Sequence, residues 1–316
     1  MEPVKRVLVT GASGFIGRHC LKRLHEYGYE VHAIVHAHLL DPASAPARWR
    51  TVDLLDRRAV VELLDAVRPT HLLHFAWYAN PRDYRTSEEN LRWLAASVEL
   101  IREFHASGGR RAVFAGTCFE YDSRFGYCSE GVTPEAPSIL YGVCKNSLRQ
   151  VVTAYASQAG LSAAWARIFY LYGPYEHAQR LVPSVILALM RGAIARCTHG
   201  RQLRDFLAVE DVAEAFVAIL ESNVEGTINV GSGDPVPIRG IVSRIASIMH
   251  ADDRVDFGAI PTANGDAPAV IAGIRRLRDE VGWTPRVSLD DGLAAAVKWW
   301  RDNAARPPGP TPGDPT

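Results

Sequence analysis

Short runs rich in Val, Leu and Ile alternate along this chain with longer stretches in which apolar residues recur every three or four positions. Residues 6–10 (Arg-Val-Leu-Val-Thr) read as a buried strand, and residues 15–27 have helical spacing. Residues 30–35 return to strand, and residues 59–67 are helical with Leu63 and Leu64 on the apolar face. The pattern continues with strands at 71–75, 111–115 and 163–169, and helices at 88–105 and 141–159. Repeated βα units of this length predict an α/β fold with a doubly wound parallel sheet and helices on both faces. Right-handed crossovers then bring the carboxyl end of every strand, and the loop after it, to one edge.

The last third changes character. Gly173-Pro174, Pro183, Gly231-Ser232-Gly233 and Pro235 interrupt shorter helices and strands. This predicts a smaller C-terminal lobe interleaved with the first domain: residues 1–170 in the sheet domain, about 207–232 returning to it, and 171–306 mainly in the lobe. The tail, 307–316, holds five prolines and two glycines and reads as disordered.

Composition narrows the function classes. Of 316 residues, 47% are hydrophobic and 22% charged, and the formal net charge is zero, which gives no electrostatic reason to expect nucleic acid or an anionic membrane as partner. The first residues lack a signal-peptide core, and the apolar stretch 181–190 contains Pro183 and is too short to cross a bilayer. Five cysteines, Cys20, Cys118, Cys128, Cys144 and Cys197, show neither metal-type nor paired spacing. Reduced thiols in a cytoplasmic protein without a metal site are the expectation.

Two features carry chemistry. Thr10-Gly11-Ala12-Ser13-Gly14-Phe15-Ile16-Gly17 follows the first strand and opens the first helix. Gly11 permits a tight turn, Gly14 lets the backbone approach a diphosphate, and Gly17 allows close helix–strand packing, with the helix N-terminus facing the anion. The second strand ends at His36 with no carboxylate to repel a 2′-phosphate, and Arg18 is placed to pair with one. NADP is therefore favoured over NAD. The second feature is Tyr141, four residues before Lys145, one of only four lysines among 35 basic residues. An ammonium one helical turn from a phenol is expected to lower its pKa.

The Gly11/Gly14/Gly17 spacing, Tyr141-x-x-x-Lys145 and Thr117 upstream resemble the extended short-chain dehydrogenase/reductases, which include NAD(P)-dependent epimerases, dehydratases and ketoreductases of nucleotide sugars. Asp53-Leu54, His74-Phe75-Ala76, Asn90, the run from Arg167 to Pro174, Arg204-Asp205-Phe206 with Glu210-Asp211-Val212, the run from Asn229 to Gly233 and that from Val281 to Pro285 extend the likeness over nearly the whole chain. The resemblance implies Tyr141 as acid–base, Lys145 as the group that lowers its pKa and holds the nicotinamide ribose, and Thr117 as hydrogen-bond partner of the reacting oxygen. It implies cofactor contacts from Gly11, Ser13, Gly14, Phe15, Ile16, Gly17, Arg18, His36, Asp53, Leu54, Phe75, Ala76, Trp77 and Phe169. Substrate contacts fall to Cys118, Phe119, Tyr170, Arg180, Leu181 and Arg204. It also implies a homodimer through the helices at 88–105 and 141–159, with Val98, Ile101 and Val151 as candidate contacts.

Departures from the family pattern narrow the reaction. The dehydratases carry Asp-Glu after the catalytic Thr; here Cys118-Phe119 follow, and Glu120 is one position too far, its side chain expected on the opposite face of an extended segment. Enzymes that epimerise and reduce towards GDP-fucose use a Cys two beyond the catalytic hydroxyl and a distant His. Here Phe119 and Arg180 occupy those positions, although His177 is nearby, and arginine stays protonated. Tyr170 replaces the family's Asn, and Trp77, Tyr78 and Tyr84 follow the fourth strand near where a sugar ring would lie, either to stack on a deoxy sugar's apolar face or to pack the lobe. Reduction of a 4-keto-6-deoxy nucleotide sugar is the expected activity, with 4-epimerisation on tightly held NAD as the alternative. A non-catalytic dinucleotide sensor is disfavoured by the complete Thr–Tyr–Lys set.

Overall fold

The computed structural model describes residues 5–36, 46–263 and 265–303. Its first half runs β1 (Arg6–Thr10), α1 (Gly17–Glu26), β2 (Glu30–Val35), β3 (Arg48–Thr51), α2 (Arg57–Val67), β4 (His71–His74), α3 (Glu89–Ala106), β5 (Arg111–Thr117), β6 (Tyr127–Cys128) and α4 (Leu140–Ala159). There follow β7 (Ser162–Ile168), β8 (Tyr170–Tyr172), α5 (Leu181–Met190), β9 (Ala195–Cys197), β10 (Leu203–Ala208), α6 (Val209–Glu221) and β11 (Gly226–Val230). The chain then passes through β12 (Pro235–Pro237), α7 (Ile238–Ile248), β13 (Val255–Phe257), β14 (Ala269–Ala272), α8 (Arg275–Asp279) and α9 (Leu289–Asn303). The tail expected to be disordered, 307–316, lies outside the described residues.

Seven strands form one parallel sheet in the order β11-β7-β5-β4-β1-β2-β3. The chain winds outward from β1 through β2 and β3, then restarts at β4 on the other side. The carboxyl ends of β1 and β4 therefore flank the crevice where open α/β sheets bind ligands. Alternation along each strand feeds two cores. Val7, Val9 and Val113 pack with α1 and α6, whereas Leu8, Leu72 and Phe114 pack with α2, α3 and α4. The edge strand β3, Arg-Trp-Arg-Thr, was not anticipated; its polar alternation hides it from a search for apolar runs.

A second sheet, β12-β10-β14-β6 with β8 beside β10, carries a third core built by α5, α7 and α9. It recruits β6 from the first half of the chain. Ends are set locally: Asp56 accepts amides from Arg58 and Ala59 to start α2, and Gly160 closes α4 with φ 70°. Of the three residues expected at a dimer face, Ile101 is instead 1% exposed within the α2–α3–α4 core, because α3 turns it inward. Val98 packs against the same core, and Val151 is exposed.

Candidate active site

Thr117 ends β5 at the ligand-binding edge, and Tyr141 lies in the first turn of α4, with Lys145 one turn on. The Thr117 and Tyr141 side chains hydrogen-bond to each other. Lys145 is 3% exposed; its Nζ donates to the Ala115 carbonyl at 2.9 Å and sits 3.8 Å from the centre of the Trp77 ring. Burial pulls this ammonium down to about 7, with the Glu120 charge opposing. The expectation that Lys145 lowers the phenol pKa is corrected here. Burial raises the Tyr141 phenol, nearby Tyr84 adds to the rise, and the Thr117 hydrogen bond pulls it back. The ammonium is occupied by Ala115 and Trp77, while aromatic walls desolvate the phenol.

Those walls are Trp77, Tyr84 and Phe119, whose rings meet Tyr141 edge-on at centroid distances of 6.5, 5.1 and 6.2 Å. Two of them come from the loop between β4 and α3, which folds around the fully buried Asn90. Asn90 Oδ1 accepts from Trp77 Nε1 at 2.8 Å, and Asn90 Nδ2 donates to the Tyr84 and Ser87 carbonyls at 2.7 and 2.8 Å. The Tyr141 amide donates to the Arg85 carbonyl at 3.2 Å, tying α4 to this loop. The Tyr84 hydroxyl accepts from Arg85 Nε at 3.3 Å and Arg180 Nη1 at 3.5 Å. Sequence reading noted Asn90 only as a helix opener and missed Arg85; neither role leaves a local pattern.

Residues that would support elimination or thiol chemistry turn away. The segment after Thr117 is a 3-10 turn, not an extended run, and Glu120 folds back into the interior. Its carboxylate accepts from the Thr117 amide at 2.8 Å, from Trp165 Nε1 at 3.0 Å and from Arg167 Nε at 2.6 Å. Cys118 is 6% exposed in a small core with Tyr121, Cys128 and Phe169, and burial pushes its thiol up to about 12. Phe169, expected against the cofactor, is likewise packed into that core.

The glycine loop fits a diphosphate. Gly11 has φ 66°, and a Cβ there would lie 2.9 Å from the Ala76 amide nitrogen; one on Gly17 would lie 2.4 Å from the Gly11 carbonyl. Helix α1 has no acidic residue in its first turn and no side-chain cap. His74 links β1 to α3 through Thr10 Oγ1 at 2.8 Å and Ser97 Oγ at 2.9 Å, holding Phe75, Ala76 and Trp77 beside the loop. Leu54 is buried below the exposed Asp53, whose Oδ1 is 3.9 Å from His36 Nδ1, so a carboxylate does stand beside the end of β2. Arg18 does not point towards that end. It donates to the Ser13 and Gly14 carbonyls and lies 3.9 Å from the centre of the Tyr175 ring. Ser13, Phe15 and Ile16 line the turn and are partly exposed.

On the lobe side, Tyr170 faces Arg204 with 5.4 Å between ring centre and Cζ. Arg204 is 3% exposed and paired with Asp266 at 2.5 Å, so its charge is already matched. Arg180 immediately precedes α5 without a side-chain cap, and Leu181 begins that helix, partly buried. Among the described residues no group of His, Cys, Asp and Glu could hold a metal ion, and no helix is long and apolar enough to cross a membrane.

Residues 7–231 match the NAD dependent epimerase/dehydratase family. UDP-glucuronate 4-epimerase 1 of Arabidopsis thaliana is 25% identical over 93% of this chain and 76% of its own length. The structure of MoeE5 with UDP-glucuronic acid and NAD superposes with a TM-score of 0.82 at 29% identity, covering 94% of this chain and 99% of that one. The Thermus thermophilus UDP-glucose 4-epimerase complex with NAD gives a TM-score of 0.80 at 26% identity, with 94% and 99% covered. Relatives of comparable identity also include dTDP-glucose 4,6-dehydratases and UDP-glucuronic acid decarboxylases.

Proposed function

The chain belongs to the NAD dependent epimerase/dehydratase family, and from that premise we propose that it is a nucleotide-sugar 4-epimerase working with NAD. The observation that carries this reading is the Tyr141 phenol, hydrogen-bonded to Thr117, walled by three aromatic rings, with Glu120 and Cys118 turned inward. Such a site can exchange a proton with a sugar hydroxyl and offers no acid–base pair for elimination. Bound nicotinamide supplies hydride exchange at the sugar carbon.

In the proposed mechanism Tyr141 acts as the phenolate, which the positive charge of Lys145 and of oxidised nicotinamide would favour against the rise caused by burial. It takes the proton of the C4 hydroxyl and returns it after the sugar has presented its other face. Thr117 keeps the oxygen placed throughout. Lys145 would hold the nicotinamide ribose and, in its ammonium form, add positive charge beside it. Gly11, Ser13, Gly14, Phe15, Ile16 and Gly17 would hold the diphosphate, with Asp53, Leu54, Phe75, Ala76 and Trp77 along the rest of the cofactor. Residues 1–170 with 207–232 would thus bind dinucleotide, and 171–306 the sugar nucleotide through Tyr170, Arg180, Leu181 and Arg204, with Phe119 facing them from the sheet domain. The choice of NAD over NADP is supported by the engagement of Arg18 with its own loop and by the NAD in both quoted structures. Exposed Leu91, Val143 and Val151 on α3 and α4 suit a homodimer, and five buried free thiols suit the cytoplasm.

A second reading, reduction of a 4-keto-6-deoxy nucleotide sugar with NADPH, is favoured by the aromatic walls, which suit a deoxygenated sugar face. Two assays separate them. Incubation with UDP-glucose and UDP-glucuronate, followed by chromatography, should yield the 4-epimer with no net change in cofactor absorbance. Stoichiometric NADPH oxidation by a dTDP-4-keto-6-deoxy sugar, without epimer formation, would establish the reductase instead. If Tyr141→Phe retained full turnover in either assay, both readings would fail.

A further inference from the structure

Between β8 and α5 the chain touches the phosphate loop. Tyr175 in this crossing has φ 69°, a left-handed conformation that bulky residues rarely adopt. Its ring lies over the Arg18 guanidinium on one side, 3.9 Å away, and packs at 4.7 Å against Trp299 of α9. His19 meets the same ring edge-on at 6.0 Å, and its Nε2 is 3.4 Å from the Pro174 carbonyl. One aromatic side chain therefore joins the start of α1 to the last helix of the lobe. Arg18 extends the connection, because its guanidinium bonds the Ser13 and Gly14 carbonyls within the glycine loop. Without the ring, a long and rotamer-rich side chain would be ordered only by those two carbonyls.

We propose that Tyr175 is a positioning residue for the cofactor: from the lobe, it clamps Arg18 onto the Ser13 and Gly14 carbonyls and so pre-organises the loop that receives the dinucleotide's diphosphate. This rests on the reading of that loop as the NAD site. The left-handed Tyr175 backbone is maintained by the contacts of its half-exposed ring with Arg18 and Trp299. The aromatic face stacks on the guanidinium, and the hydroxyl adds a polar interaction with it.

The test is a binding measurement on the full chain, by calorimetry, with NAD and with ADP, which carries the diphosphate without the nicotinamide. Tyr175→Gly removes the ring and suits a φ of 69°, so folding is preserved. It should weaken both ligands by about threefold to tenfold, the range of a cation–π contact. Tyr175→Phe, which keeps the ring and loses the hydroxyl, should weaken both ligands less than Tyr175→Gly does. Arg18→Ala should weaken binding, and the double variant Arg18→Ala/Tyr175→Gly should be no weaker than the weaker single variant, since the ring acts through Arg18. Multiplying losses in the double variant, or wild-type affinity in Tyr175→Gly, would overturn the proposal alone. A wild-type chain that binds neither NAD nor ADP would overturn the cofactor reading, and the proposal with it.

Discussion

Glu120→Gln separates a structural carboxylate from a catalytic one. Glu120 and Arg167 are both fully buried side chains, 2.6 Å apart, and the carboxylate also satisfies the Thr117 amide and the Trp165 indole. Arg167 already has one buried nitrogen, Nη1, without a hydrogen-bond partner, and its Nη2 bonds Glu135. The amide keeps one acceptor oxygen but turns an NH₂ towards a donor, whichever way it is placed. Removing one partner of a buried ion pair costs about 3–5 kcal/mol. For a domain of this size that is a fall in thermal midpoint on the order of 10 °C. Melting followed by circular dichroism and turnover measured well below the midpoint read the two effects apart. The expected result is a large loss of stability with the reaction retained in the folded fraction. A midpoint within about a degree of wild type together with abolished turnover would refute the reasoning and make Glu120 a proton donor to the substrate.

Glu176 is buried and its proton is held up to about pH 8 by desolvation, against the opposing charge of Arg180. The unfolded chain releases that proton at an ordinary carboxylate value, so the stability it contributes is complete at acid pH and is lost as pH rises through about 8, by up to about 1.4 kcal/mol per unit. Glu176→Gln should flatten this slope in urea unfolding between about pH 5 and 9; parallel curves for the two proteins would count against the buried-acid assignment. Gly17→Ala places a Cβ 2.4 Å from the Gly11 carbonyl and 2.9 Å from the Ala12 Cα, both backbone. A cost of about 1–3 kcal/mol and weakened NAD binding are expected, and unchanged affinity would show that α1 and the loop are not in register as described. Asn90→Ala leaves the Trp77 indole and the Tyr84 carbonyl without partners, while the Ser87 carbonyl keeps the backbone amide of residue 90. It should cost at least about 1–3 kcal/mol and lower turnover by freeing Trp77 and Tyr84; melting curves and initial rates that match wild type would remove Asn90 as the organiser of the loop.

Much of this protein was legible before any coordinates. Apolar periodicity revealed the βα order because burial on a sheet face or a helix stripe repeats along one element. The glycine loop was readable because its tight turn and helix start are spelled out within eight consecutive residues. Tyr141 and Lys145 share a helix turn whatever surrounds them. Their chemistry was not readable. Spacing alone argued that Lys145 acidifies the phenol, but the tertiary structure turns that ammonium to Ala115 and Trp77 and buries the phenol among rings from distant segments. Glu120 likewise takes its role from Trp165 and Arg167, and Arg18 from Tyr175, each remote along the chain. Positions within a helix or turn follow from local geometry; partners, dielectric and hence proton affinity are set by whichever distant segments fold against them.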